Sequence, residues 1–185
     1  MKKLILATVS AAALLTAGAA WADSNASTVN QPGNLNTATV DQSGGDFSDS
    51  LVQQNGDKNT ANVTQSGAGG TIGQNNSTVT QNGTEGSATV SQTRSQANFF
   101  LIGGDSNTST VTQSASSNKA SATVTQNGEL NDSKVTQTGS TSSTTVSQTG
   151  IYNSSVVNQD ASNSTVSVTQ VGNPAGGVPG VAQGD

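Results

Sequence analysis

Residues 124–170 read VTQNGELNDSKVTQTGSTSSTTVSQTGIYNSSVVNQDASNSTVSVTQ. Valine, any residue, then glutamine recurs as Val124/Gln126, Val135/Gln137, Val146/Gln148, Val157/Gln159 and Val168/Gln170, each pair eleven residues after the last. A short fixed period means one supersecondary unit repeated and stacked, in place of a single irregular core. Eleven residues make one short strand and one turn. In Ala122-Thr123-Val124-Thr125-Gln126 the period-two alternation puts Ala122, Val124 and Gln126 on one face and the two β-branched threonines on the other. Asn127 to Asn131 supply the turn, and because glycine and asparagine tolerate positive φ, Gly128 and Asn131 are expected to bracket the reversal. Two units form a strand-turn-strand rung.

The same pair continues towards the N-terminus as Val111/Gln113, Val90/Gln92, Val79/Gln81, Val63/Gln65, Val52/Gln54, Val40/Gln42 and Val29/Gln31. Turn positions are marked by Gly33, Asn36, Gly56, Asn59, Gly83, Gly128, Asn131, Gly139 and Gly150. Gln31-x-Gly33-x-x-Asn36-x-Ala38-x-Val40-x-Gln42 and Gln54-x-Gly56-x-x-Asn59-x-Ala61-x-Val63-x-Gln65 agree at every marked position. Two places break the rhythm. Ile72/Gln74 follows Val63 by nine residues and precedes Val79 by seven, and Ala97 to Gly104 replaces a Val-x-Gln with the apolar run Phe99-Phe100-Leu101-Ile102. Counting both as strands gives fourteen strands in seven rungs; discounting both gives twelve in six.

The string Q-x-G-x-x-N-x-A-x-V-x-Q resembles the repeat of the curlin family, the subunits of bacterial curli fibres, and the likeness runs from about Ser27 to Gln170. The resemblance implies a secreted functional amyloid that assembles into an extracellular fibre on a Gram-negative cell and serves biofilm matrix, adhesion and aggregation. It also implies a dedicated outer-membrane export pore, a periplasmic chaperone and a nucleator subunit as partners. Low charge on regular repeats favours the major fibre subunit, with the nucleator as the alternative. The chain departs from the family pattern where Ala115 and Ala161 replace a usual glycine, and where Ser133, Thr144, Ser155 and Val166 replace alanine. Only Asp23 to Ala26 stand where the family has a longer polar export address.

The residues by themselves lead to an all-β solenoid of stacked β-arch rungs with two parallel in-register sheets. Stacking sets valine over valine and glutamine over glutamine about 4.8 Å apart. Glutamine amides then satisfy one another in an interior where an unpaired amide costs about 1–3 kcal/mol. Burying a valine contributes roughly 1.5–3 kcal/mol against about 1–2 kcal/mol of backbone entropy per ordered residue, so a lone rung is unfavourable. The strands of the last rung, near Val157 and Val168, carry no charge, Pro32 sits in the first turn and not on a strand, and no capping helix is found, so the ends are expected to recruit further copies.

Ahead of the repeats, Lys2 and Lys3 precede an apolar run from Leu4 to Ala20, and Ala20-Trp21-Ala22 presents the small residues a signal peptidase accepts. The expected division is a leader at 1–22, a short segment at 23–26, the repeat solenoid at 27–170 and a Gly/Pro tail at 171–185 that lacks the pattern. Removing the leader would take two of the six basic residues and none of the eleven acidic ones, deepening the net charge from −5 to −7. That balance argues against nucleic acid. With neither cysteine nor histidine in the sequence, disulfides, the usual zinc sites and the common nucleophile-base pairs are unavailable, and no cofactor, metal or catalytic residue is expected. Asp41, Asp46, Asp49, Asp57 and Asp105 read as scattered solvating charges that restrain premature aggregation.

Two rival readings share these residues. Asn82-Gly83 and Asn127-Gly128 are hairpin signals and would suit an antiparallel meander, although hairpins do not call for the same glutamine in every strand. Thr78-Val79-Thr80, Thr110-Val111-Thr112 and Thr123-Val124-Thr125 point paired threonines outward, as an ice-binding solenoid would. The intervening Asn62/Thr64, Lys134/Thr136 and Val156/Asn158 interrupt that array.

Overall fold

The computed structural model describes residues 25–42, 47–67, 74–94 and 106–172. The leader, Ile72, the apolar run at 97–104 and the tail from 173 onward lie outside the described residues, and Gln74 is exposed just ahead of β5. The strands are β1 (Ala26–Asn30), β2 (Thr37–Asp41), β3 (Asp49–Gln54), β4 (Thr60–Gly67), β5 (Asn75–Gln81) and β6 (Ser87–Arg94). They continue as β7 (Asn107–Gln113), β8 (Ser121–Glu129), β9 (Asp132–Gln137), β10 (Ser143–Ile151), β11 (Ser154–Gln159) and β12 (Thr165–Val171). Odd-numbered strands form one six-stranded sheet in the order β1-β3-β5-β7-β9-β11, and even-numbered strands form the other.

Every pairing between these strands is parallel. Each turn therefore carries the chain from one sheet to the other, as an arch does, and the antiparallel meander is ruled out. Two parallel sheets stack into a β-solenoid, the architecture expected from the period. β4 pairs directly with β6 and β5 directly with β7, so among the described residues twelve strands make six rungs. The solenoid overruns its expected limits slightly. Asn25 already engages the second rung, with its Oδ1 accepting from the Ser48 N–H at 2.7 Å, and the Gly172 N–H donates to the Thr149 carbonyl at 2.7 Å.

Alternation decides what is buried. In β7, Asn107, Ser109, Val111 and Gln113 face inward while Thr108, Thr110 and Thr112 are half-buried on the outer surface. Valines from both sheets, from Val52 through Val168, form one continuous core column with Ala38, Ala61, Ala88 and Ala122. Apolar volume is small, so the interior is narrow and the side chains beside the valines must be polar and paired.

The turns differ from the expected chemistry in one respect. Asn36, Asn59 and Asn131 do not hold the left-handed backbone; the residue immediately before each does, at Leu35 (φ 55°), Lys58 (φ 57°) and Leu130 (φ 55°). Glu85, Lys119, Thr141, Tyr152 and Asn163 occupy the equivalent place in the other arcs. The asparagine is there for its side chain: Asn36 Nδ2 donates to the Gly56 carbonyl at 2.7 Å, bridging to the next rung. Glycine also serves two purposes. Gly128 and Gly150 do sit at positive φ, 126° and 102°. Gly33, Gly56, Gly83 and Gly139 do not; there the backbones of successive arcs approach so closely that a Cβ would run into the carbonyl above, for Gly83 that of Ser117 at 2.5 Å.

Both findings are testable by denaturant unfolding of the folded chain. Thr141 is an exposed β-branched residue at φ 55°, a conformation such residues rarely adopt. Thr141→Asn is expected to stabilise by about 0.5–1 kcal/mol, and Gly83→Ala to destabilise by about 1–3 kcal/mol through overpacking against the next arc.

Candidate functional site

The inward glutamines form two continuous ladders. In the odd sheet, Nε2 of Gln31 donates to Oε1 of Gln54, then Gln54 to Gln81 at 2.7 Å, Gln81 to Gln113 at 2.9 Å, Gln113 to Gln137 at 3.0 Å and Gln137 to Gln159 at 3.0 Å. In the even sheet the chain runs Gln42 to Gln65 at 2.9 Å, Gln65 to Gln92 at 2.9 Å, Gln92 to Gln126 at 2.8 Å, Gln126 to Gln148 at 2.9 Å and Gln148 to Gln170 at 2.7 Å. Every link points the same way, from the N-terminal rung towards the C-terminal one.

Each amide nitrogen has a second proton, and beyond Gln31 it goes across the interior. Gln54 donates to the Thr37 carbonyl at 3.1 Å and Gln81 to Thr60 at 3.1 Å, each reaching from the odd sheet to the first residue of an even strand. From the even sheet, Gln65 donates to Asp49 at 3.0 Å and Gln148 to Asp132 at 2.8 Å. The long glutamine of one sheet thus meets the small inward residue of the other. That residue is an alanine in the even sheet and a serine in the odd sheet: Ser50, Ser77, Ser109, Ser133 and Ser155. Thr144 replaces alanine and uses its hydroxyl, accepting from Gln137 Nε2 at 3.1 Å and donating to Gln159 Oε1 at 2.7 Å.

Valine pairs follow the same register: Val29, Val52, Val79, Val111, Val135 and Val157 stack in the odd sheet. Val40, Val63, Val90, Val124, Val146 and Val168 stack in the even sheet. From Val52 and Gln54 to Val168 and Gln170 these residues are all buried. Val29, Gln31, Val40 and Gln42 are only half-buried, because they belong to the first rung.

Of a third ladder the sequence singles out only Asn131, and then as a turn residue. On the arc joining even to odd strands, Asn107 Nδ2 donates to Asn75 Oδ1 at 3.2 Å, Asn131 to Asn107 at 3.1 Å and Asn153 to Asn131 at 2.9 Å. Its signal was available four residues before each valine, in Asn75-x-Ser77-x-Val79, Asn107-x-Ser109-x-Val111 and Asn153-x-Ser155-x-Val157. On the opposite arc the asparagines stop after Asn36 and Asn59, and Gly86, whose N–H donates to Asn59 Oδ1 at 2.8 Å, takes their place.

Outward threonines do not make a regular surface. In the odd sheet the full Thr-x-Thr pair occurs on β5 and β7, flanked by Leu51 on β3 and Lys134 on β9. Asp41, Asp49 and Asp57 lie on outer faces or arcs, Asp57 Oδ1 accepting from the Asn34 N–H at 2.7 Å, while Asp46 and Asp105 lie outside the described residues. Among the described residues no group of three or more His, Cys, Asp or Glu is placed to hold a metal ion.

Residues 120–150 match the curlin associated repeat, and residues 142–172 match it again. Curlin-type repeats thus occupy residues 120–172 of the chain. The match spans β8 to β12, where the eleven-residue period is strict. No curated protein and no solved structure matches the chain significantly. Curlin repeats belong to extracellular fibre subunits, and both the family and the solenoid are structural in kind. The functional site is therefore sought in the ladders and in the two tips where they end, at β1 and β2 and at β11 and β12.

Two substitutions separate amide pairing from mere polarity. Gln126→Leu would strand the Gln92 donor, the Gln148 acceptor and the Thr108 carbonyl, and is expected to destabilise by about 3 kcal/mol or more in chemical denaturation. Ser77 has a buried hydroxyl without a hydrogen-bond partner. Ser77→Ala is expected to be neutral or stabilising by up to about 1 kcal/mol in the same measurement.

Proposed function

We propose that the curlin-repeat protein is the major structural subunit of an extracellular amyloid fibre, exported from a Gram-negative cell and polymerised through its solenoid tips. The observation that carries this reading is the likeness of the two tips. Asn153, Ser155, Val157 and Gln159 present inward the same residues, in the same order, as Asn25, Ser27, Val29 and Gln31. Val168 and Gln170 likewise repeat Val40 and Gln42, with Val166 set over Ala38 as the one mismatch.

A second copy laid head to tail therefore continues both sheets and both glutamine ladders without change of register. The donors match as well. Along the molecule an N–H at the start of a strand, from its first or second residue, donates to the rung above, as Thr108 does to Asn131 and Ser143 to Ser164, each at 2.8 Å. Ser154 and Thr165 at the C-terminal tip are left to donate to Asn25 and Asn36 of the next copy. Such an interface uses different surfaces on its two sides and does not close, so it generates a filament. The edge strands hold no proline, and Asp41 on β2 is the one charged residue among β1, β2, β11 and β12, which favours the same outcome.

Biofilm matrix, adhesion and cell aggregation are the roles such a fibre would serve, and the export pore, periplasmic chaperone and nucleator are its proposed partners. Incubation of the purified chain from Asp23 onward is expected to yield fibres whose diffraction shows a meridional spacing of about 4.8 Å. Persistent soluble monomer at high concentration, with and without seeds, would refute the assignment.

A further inference from the structure

The geometry points to a fibre with one favoured growing end: new copies add by their C-terminal rungs, β8 to β12, onto the N-terminal tip formed by β1 and β2. This rests on the head-to-tail assembly proposed above and adds its direction.

Two independent observations lead to it. The first is the state of the tips. At the C-terminal tip the valine and glutamine columns are already closed off, Val157 at 5 %, Gln159 at 3 %, Val168 at 7 % and Gln170 at 6 % exposed, while Val166 is half-buried. At the N-terminal tip Val29, Gln31, Val40 and Gln42 are half-buried, and Ser27 is exposed. Within the valine and glutamine columns, the apolar surface and amide carbonyls still waiting for partners are thus concentrated on β1 and β2; outside them Ala38 is buried and Val166 is half-buried. The Oε1 atoms of Gln31 and Gln42 stand at the start of the ladders and fit the Nε2 donors of Gln159 and Gln170 in an arriving copy.

The second observation is the spacing of the rungs. From Val124 to Val168 every step is eleven residues, whereas Val63 to Val79 takes sixteen and Val90 to Val111 takes twenty-one. Ordering an unfolded copy requires closing each of these connections, and closure entropy grows with length. Contacts between residues far apart in sequence also form more slowly. The segment of an arriving copy that orders with least loss is therefore β8 to β12, the region of strict period. Its last two strands are the ones whose inward residues match β1 and β2. The most open tip and the most easily ordered segment are partners in the same junction.

The test is chain termination on preformed wild-type seeds supplied with wild-type monomer. Val29→Asp/Val40→Asp leaves the C-terminal rungs intact but spoils the N-terminal tip; Val157→Asp/Val168→Asp does the reverse. Added in substoichiometric amount, the first variant is expected to slow elongation several-fold, and a fluorescent copy of it should appear once, at one end of each fibre. The second variant should leave elongation unchanged and be absent from fibre ends. Termination by the second variant alone, by both equally, or by neither overturns the direction of growth, as does failure of the labelled first variant to reach an end. If the wild-type chain yields no seeds at all, the assembly itself is refuted and the direction with it. Fibres that form but are terminated by the wrong variant leave the assembly standing and refute the direction alone.

Discussion

A primary amide carries two N–H donors and a carbonyl, and burying it is unfavourable unless those groups are paired. In this solenoid the pairing is achieved along two perpendicular directions at once. One proton of each inward glutamine goes along the axis to the next glutamine, as from Gln65 to Gln92 at 2.9 Å, and the other crosses to the opposite sheet, as from Gln65 to the Asp49 carbonyl at 3.0 Å. The axial bond holds the rungs in register and the transverse bond holds the sheets together. A slip of one residue would turn every glutamine outward and break both.

This arrangement allows a chain so poor in apolar residues to keep an ordered interior. Val-over-Val columns exclude water, but they are thin, and no rung is self-sufficient. Stability is a sum over neighbouring rungs, which is the behaviour of repeat proteins in general. The pairing of a long glutamine with a small partner across the interior keeps the two sheets close. Where the small partner is enlarged, as at Thr144, the added hydroxyl joins the amide network and does not disrupt it.

In-register stacking would also set like charges one above another, and the sequence avoids this. The arc position that holds the left-handed backbone reads Leu35, Lys58, Glu85, Lys119, Thr141 and Asn163 along the axis. Glu85 lies between two lysines, 3.8 Å from Lys58 and 3.7 Å from Lys119. These pairs are solvent-exposed and contribute little to stability individually. Their significance is that the alternation of sign makes the parallel stack tolerable where charge occurs at all.

The period, the inward and outward faces, and the identity of the valine and glutamine columns could all be read from the chain, because alternation along a strand is a local property and the repeat makes it visible many times over. The register followed too, since like residues stack only when no strand slips. Other features depended on neighbours that only folding supplies. The number of rungs among the described residues stayed open until β4 was seen bonded to β6 and β5 to β7. Asparagine at the arcs was assigned a backbone role, yet its amide bridges rungs while the preceding residue takes positive φ. Glycine at 33, 56, 83 and 139 answers to a carbonyl in the next arc, not to its own dihedral angle. By itself, then, the sequence determined what each strand shows to the interior. How the arcs bend, and which side chains span from rung to rung, was decided by the tertiary structure, because those contacts join residues sixteen to thirty-four positions apart.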